Sequence, residues 1–465
     1  MIKTIKKIAS CAMLVGVTGL FYTQSAFALL PIEHWTRPDG AQVWLVQSPA
    51  IAMVDVQLEF DAGSRRDPAA QAGLASAAAL MSAKGVRAAE GRPALDENQL
   101  GEAWADLGAS LGADAGRDAL SFSLRSLTRP ELLGRAAELA ARQIGEPSYP
   151  AAVWQRERAR WSAAIAEGDT RPGTVAGKAF SRALYRGNPY GYETTAATLQ
   201  AIGVADLQAY HARYLQRCRA RVAIVGAVDR AQAQGLVDAL LARLPAGDAQ
   251  ACAPLPAVAS VAPLAAPQRI DIPFNSAQTH VLIGQPGIAR RDPDFLALLV
   301  GNHILGGGGF ASRLMEEVRE KRGLSYSVYS DFSPGLNVGA FVAGLQTRPE
   351  QAAQALQVTQ QVIADFVRDG PTEAELQAAK DNLVGGFALR IDSNRKLLGN
   401  VVNIARNGLP LDYLEGWTER VQALSAEQVK AAMARVLQPA RMVTVVLGAA
   451  PAAADAPTAA AADRP

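Results

Sequence analysis

Gly73-Leu-Ala-Ser-Ala-Ala-Ala-Leu-Met-Ser-Ala-Lys-Gly85 is a run of small and apolar residues between two glycines. Alanine, leucine and methionine are strong helix formers, so the stretch predicts a short helix that can pack closely on its neighbours. Upstream, residues 41–47 and 53–60 read as strands. In the second, Val54, Val56, Leu58 and Phe60 alternate with Asp55, Gln57 and Glu59, the period-two pattern of a sheet with one buried face. Downstream come a helix at 95–107, strands near 110–115 and 119–127, and Thr128-Arg-Pro-Glu131, which reads as a capping box opening another helix. Helices over 151–167, 173–185 and 204–214, a strand ending near Gly226 and a helix over 230–244 complete this half.

Residues 246–268 differ in character: Pro254, Pro256, Pro263 and Pro267 stand among alanines with almost no charge, a composition suited to an extended linker. Beyond it the chain repeats itself. Arg290-Arg291-Asp292-Pro293 echoes Arg65-Arg66-Asp67-Pro68 at an offset of 225. Gln200/Gln422, Ala212/Ala434, Arg213/Arg435, Gln216/Gln438, Arg219/Arg441 and Gly226/Gly448 coincide at an offset of 222. Two landmarks in the same order imply duplicated domains, 29–245 and 269–449, each of α+β character. Residues 450–465, rich in Ala, Pro and Asp, read as a disordered tail.

With 465 residues and 49% hydrophobic content, the chain can bury two cores. Residues 1–28 read as a cleavable export signal. Lys3, Lys6 and Lys7 form a basic start, residues 8–21 an apolar stretch, and Ala26-Phe27-Ala28 a cleavage box. No later apolar run is long enough to span a membrane. Removing the three lysines leaves 43 basic against 44 acidic residues, so neither charge nor any basic cluster points to nucleic acid. Cys218 and Cys252 remain after Cys11 leaves; a disulfide and two free thiols are both open readings.

Two constellations carry chemistry. Asn302-His-Ile-Leu-Gly-Gly-Gly-Gly-Phe-Ala-Ser-Arg-Leu314 holds Gly306, Gly307, Gly308 and Gly309. It lacks the Gly-Lys-Ser/Thr of a phosphate loop, which leaves a hinge between helices as the plain reading. Downstream stand Arg319 and Tyr326, whose guanidinium and phenol are both donors; a solvated helix face and an edge aromatic are the plain alternatives. Four histidines, His34, His211, His280 and His303, show no spacing suited to a shared metal.

The duplicated α+β halves, the 73–85 helix, the Ala/Pro linker and the late Arg–Tyr pair together resemble the M16 (pitrilysin/insulinase) peptidases, nearest to the two-domain bacterial branch. The resemblance covers about residues 30–450. It implies two duplicated domains, each a mainly antiparallel sheet packed with helices, forming a clam-like pair. The family's zinc frame Gly-x-Ala-His-x-x-Glu-His-Met-x-x-Lys-Gly falls on 73–85: Gly73, Ala75, Met81, Lys84 and Gly85 match, while the ligands and general base fall on Ser76, Ala79 and Leu80. The third ligand's frame runs from Glu157-Arg158 and places that ligand on Ala164, with Glu167 three residues away.

No zinc is therefore expected in this chain. The glycine-rich loop and the Arg319/Tyr326 pair match the family's substrate-handling elements. The resemblance implies a non-catalytic, periplasmic subunit, inactive alone. It would bind unfolded peptide and supply Arg319 and Tyr326 to a zinc-bearing homologue's active site. The other reading is a peptidase-like structural or chaperone-like protein with no part in proteolysis. An independent metallopeptidase would need ligands that are absent.

Overall fold

The computed structural model describes residues 31–448, apart from Glu90 and Ala249. The expected export signal and C-terminal tail fall outside those residues. The first sheet contains β1 (Glu33–Thr36), β2 (Gln42–Gln47), β3 (Met53–Phe60), β4 (Ser110–Ala115), β5 (Leu120–Leu127) and β6 (Arg221–Gly226), in the order β1-β2-β6-β3-β5-β4. The second contains β7 (Gln268–Pro273), β8 (Thr279–Pro286), β9 (Val328–Ser333), β10 (Ala340–Thr347) and β11 (Val443–Gly448), in the order β7-β11-β8-β10-β9. Without β1 the two orders are the same. Each contains a single parallel pair, β2 with β6 and β7 with β11, among antiparallel neighbours. The chain is thus an α+β protein of two duplicated, mainly antiparallel sheets packed with helices.

The helices that place the site are α1 (Leu74–Ser82), α2 (Glu97–Asp106), α3 (Ala151–Gly168), α4 (Pro172–Tyr185), α5 (Phe295–Asn302) and α6 (Asn394–Asn407). Two of them cross over. α4, from the first half, lies on β8 and β11 of the second sheet; α6, from the second half, lies on β6 and β3 of the first. The halves clasp each other through this exchange. α6 buries Leu397, Val401 and Val402 against Trp44, Val46, Ala223 and Val225.

That exchange corrects the reading of β3. Val54, Val56, Leu58 and Phe60 are in the core as expected, but the polar face is covered as well: Asp55 is 5% exposed and Glu59 1%. Glu59 lies under α6 and accepts from Arg406, while Asp55 accepts from Arg125 Nε at 2.7 Å. Buried carboxylates persist only with such partners.

The Thr128–Glu131 capping box does not form. The helix runs Pro130–Gly145 with Arg129 at its N-cap and no side-chain cap bond. Pro130 takes the first helical position, which makes Glu131 the second rather than the third residue and puts its carboxyl out of register.

The linker is held rather than free. Val261 and Leu264 are buried beside α4 and β11. Cys252 forms a disulfide with Cys218, across 34 residues of sequence, and so fastens the linker to the entry of β6.

Candidate functional site

α1 starts where Asp67 accepts the backbone N–H of Gly73 at 2.9 Å and of Ala75 at 3.0 Å. Gly73 has φ 105°, and a Cβ there would lie 2.7 Å from the Thr194 methyl. Glycine therefore suits it on both backbone and steric grounds. Burial raises the Asp67 carboxyl to about 6 from an ordinary 3.8, despite the N–H donors that favour its charge. A raised carboxyl stabilises the fold most fully below its unfolded value, and that contribution is lost as pH rises through about 6. Stability measured by urea unfolding should therefore fall less between pH 4 and pH 6.5 in Asp67→Asn than in the parent. Identical pH profiles would refute this.

Ala75, Ala77, Ala78, Ala79 and Met81 bury α1 in the first core. Ser76 and Leu80, one turn apart, are half-buried, and Ala79 is buried between them. None offers an imidazole or a carboxylate. On α3, Ala164 is exposed; Glu167 is exposed too, and is bound to Arg171. Among the described residues no group of three or more His, Cys, Asp or Glu is placed to hold a metal.

A charge network fills out the end of α1. Lys84 Nζ lies 3.1 Å from Glu97 and 3.5 Å from Glu157, and Arg156 joins both carboxylates at 2.7 and 2.6 Å. The Arg156 and Lys84 cations hold Glu97 down at about 2, and Arg156 likewise lowers Glu157. This network ties α1, α2 and α3 together through Lys84 and Glu157, two residues that fit the frames read from sequence.

In the second half α5 follows the repeated Arg-Arg-Asp-Pro, as α1 follows it in the first, and continues into a π-helical turn, His303–Gly307. A second π-helical stretch, Met315–Glu320, carries Arg319. Such widened turns redirect side chains and recur at functional sites. Asn302 fixes the first turn to the edge strand β9: its amide donates to the Ser330 carbonyl at 3.1 Å, and it accepts the Ser330 hydroxyl at 2.7 Å. Gly306 permits that approach, since a Cβ there would lie 2.5 Å from the Ser330 nitrogen.

The glycines lead directly into Phe310, and this residue completes the constellation. The Arg319 guanidinium sits 4.6 Å from the Phe310 ring centre and 4.8 Å from that of Tyr326. Phe310 is 69% exposed and Tyr326 82%. One cation thus lies over two exposed rings, each contact worth about 0.5–1 kcal/mol at an exposed site. The arrangement limits how far the guanidinium can swing while leaving donor groups and the Tyr326 hydroxyl available.

Sequence reading brought Arg319, Tyr326 and the glycines forward but missed Phe310. Its only signal was an apolar ring directly after four glycines. Beside Tyr326 opens a cleft of about 410 Å³ lined by Tyr329, His280, Gln346 and, from α4, Gly173. Burial lowers the His280 imidazole toward the neutral form.

The sequence profile described as "Peptidase M16 inactive domain" matches residues 201–383. The peptidase M16 inactive domain from Pseudomonas fluorescens is 36% identical, with a TM-score of 0.85 over 91% of this chain and 99% of that one. The chain belongs to the M16 peptidase family. Within the M16 family it is similar to an uncharacterized zinc protease of Mycobacterium leprae, 29% identical over 89% of this chain and 91% of that protein. It is also similar to the non-peptidase homolog YmxG of Helicobacter pylori, 35% identical over 26% of this chain and 28% of that protein. The chain is an M16-like inactive peptidase homologue, and the residue types at Ser76, Ala79 and Leu80, with no cluster of metal-ligating side chains among the described residues, fit an M16 domain without zinc of its own.

Proposed function

We propose that this chain is the non-catalytic, substrate-binding subunit of a heterodimeric M16-type zinc peptidase. Its partner is a homologue with an intact zinc site, and the assembled pair works on unfolded peptide in the periplasm. The observation that carries this reading is the exposed Phe310–Arg319–Tyr326 stack in a chain whose α1 lacks metal ligands. Donors of this kind stabilise charge developing on a carbonyl when held where the oxyanion forms. They belong to a chain whose α1 offers no imidazole or carboxylate to hold a nucleophile-activating metal, which supports a reading as half a site. An extended peptide has a free sheet edge at β4, which packs against α1; strand addition is a general way to hold such chains. The N-terminal signal read from sequence and the Cys218–Cys252 disulfide support an oxidising, exported location.

The test is peptidase activity on an unstructured peptide by this chain, a zinc-bearing homologue, and their mixture, each with and without chelator. Chelator-sensitive cleavage by the mixture, well above the sum of the separate chains, is the expected result. A mixture no more active than the homologue alone, with peptide still bound by this chain, would favour a peptide-binding scaffold instead.

A further inference from the structure

The duplication places two arginine pairs at equivalent positions, Arg66 with Arg219 in the first half and Arg291 with Arg441 in the second. In the first half both guanidiniums are engaged by the linker. Arg66 donates to the Pro256 carbonyl; Arg219 donates to the carbonyls of Ala251 and, at 2.9 Å, Ala253. The segment 251–256 reads Ala-Cys-Ala-Pro-Leu-Pro. Pro254 and Pro256 carry no N–H, so the stretch cannot pair as a regular strand and its carbonyls are open to side-chain donors such as the fixed fork of an arginine. Under this cover Arg66 and Arg219 are both half-buried.

The second pair has no carbonyl partner of this kind, although Val261, Pro263 and Leu264 of the same linker border it. Arg291 and Arg441 are exposed, and among the described residues neither guanidinium has a hydrogen bond or an ion pair. Both line a cavity of about 480 Å³ together with Ile288, Leu264 and Gln438, the last being the counterpart of Gln216. Arg435, the counterpart of Arg213, also borders the cavity, but Asp292 and Asp294 already occupy it at 2.5 and 2.7 Å. The cavity thus combines an apolar floor, two free guanidiniums and one carboxylate, Asp292, whose charge Arg435 answers.

We propose that this cavity is a second peptide-docking site, which takes an extended, proline-containing segment of small apolar residues from another polypeptide. Arg291 and Arg441 donate to its main-chain carbonyls as Arg66 and Arg219 do to the linker, while its apolar side chains rest on Ile288 and Leu264. The chain's own linker does not supply the segment: residues 251–256 are held on the first pair beside the Cys218–Cys252 disulfide, and the later residues Val261, Pro263 and Leu264 form part of the cavity wall. The site lies apart from the Arg319 stack and does not depend on a role in proteolysis.

The probe is a fluorescein-labelled nonapeptide with the sequence of residues 250–258 carrying Cys252→Ser, titrated by anisotropy with the oxidised full chain. Saturable binding, with a Kd on the order of 10⁻⁴ M or tighter, should weaken at least tenfold in Arg291→Ala and in Arg441→Ala. Unchanged thermal melts would show that these exposed substitutions leave the fold intact. Four outcomes would overturn the assignment. Binding equal in the parent and both variants would place the peptide elsewhere. Loss in Arg66→Ala alone would mean that the peptide displaces the linker. Displacement by inorganic phosphate would reveal an anion site. Binding seen only in a chain ending at Gly448 would show that residues 449–465 occupy the cavity in place of another polypeptide.

Discussion

Replacing Arg406 with leucine should lower the urea-unfolding stability of the chain by about 3 kcal/mol, near the lower end of the cost of stranding a buried charge. Glu59 is 1% exposed on the central strand β3, under α6. Arg406 grips both its oxygens, with Nε at 3.1 Å from Oε2 and Nη2 on Oε1. Without Arg406 the carboxylate faces leucine on one side. Arg221, opposite Glu59 in the β3–β6 ladder, remains as a neighbouring cation; this is why the loss should not reach the top of the range. Adding Glu59→Gln to Arg406→Leu should recover part of the loss, because the charge itself is what becomes stranded. A loss below about 1 kcal/mol, no more than a surface ion pair contributes, would show that water reaches the pair and that α6 does not seal it.

The second large effect concerns the proposed pair of this chain with a zinc-bearing homologue. Arg319→Ala in this chain should lower kcat of the mixed pair by about 10²-fold, the scale for removing one preorganised donor to an oxyanion. A donor used only in the transition state lowers kcat and kcat/KM together. Co-elution with the zinc-bearing partner should be unchanged, since the Arg319 contacts in this chain are local: Phe310, Tyr326 and Glu320 at 3.2 Å. Tyr326→Phe keeps the ring that braces Arg319 and removes only the hydroxyl. Its effect should be about tenfold, as for the loss of one neutral hydrogen bond. Unchanged turnover in Arg319→Ala, in a pair that still assembles, would remove the residue from the chemistry.

Much of the site was legible because its elements are local. The 73–85 run shows a helix start at Gly73 and the absence of imidazole or carboxylate at 76, 79 and 80 without any knowledge of the fold. The seven-residue spacing of Arg319 and Tyr326 was equally visible. Its consequence was not, since stacking depends on how a π-helical turn meets the start of β9, and Phe310 reaches the same guanidinium from beyond the glycines. Periodicity read one buried face in β3 because it reports one sheet and its own helices. It cannot register a helix that arrives from more than 300 residues away.

By itself the sequence determined that there are two repeats, since chain order is preserved in the repeated Arg-Arg-Asp-Pro and in the coincidences ending at Gly226 and Gly448. It also determined that α1 carries no metal ligands, because side-chain chemistry is fixed by residue type. Only the tertiary structure decided that α4 and α6 exchange sheets, that Glu59 needs Arg406, that linker carbonyls engage one arginine pair and not its twin, and that Arg319 lies over two rings. These depend on surfaces meeting across long chain separations, where burial, and not local propensity, sets the free energy.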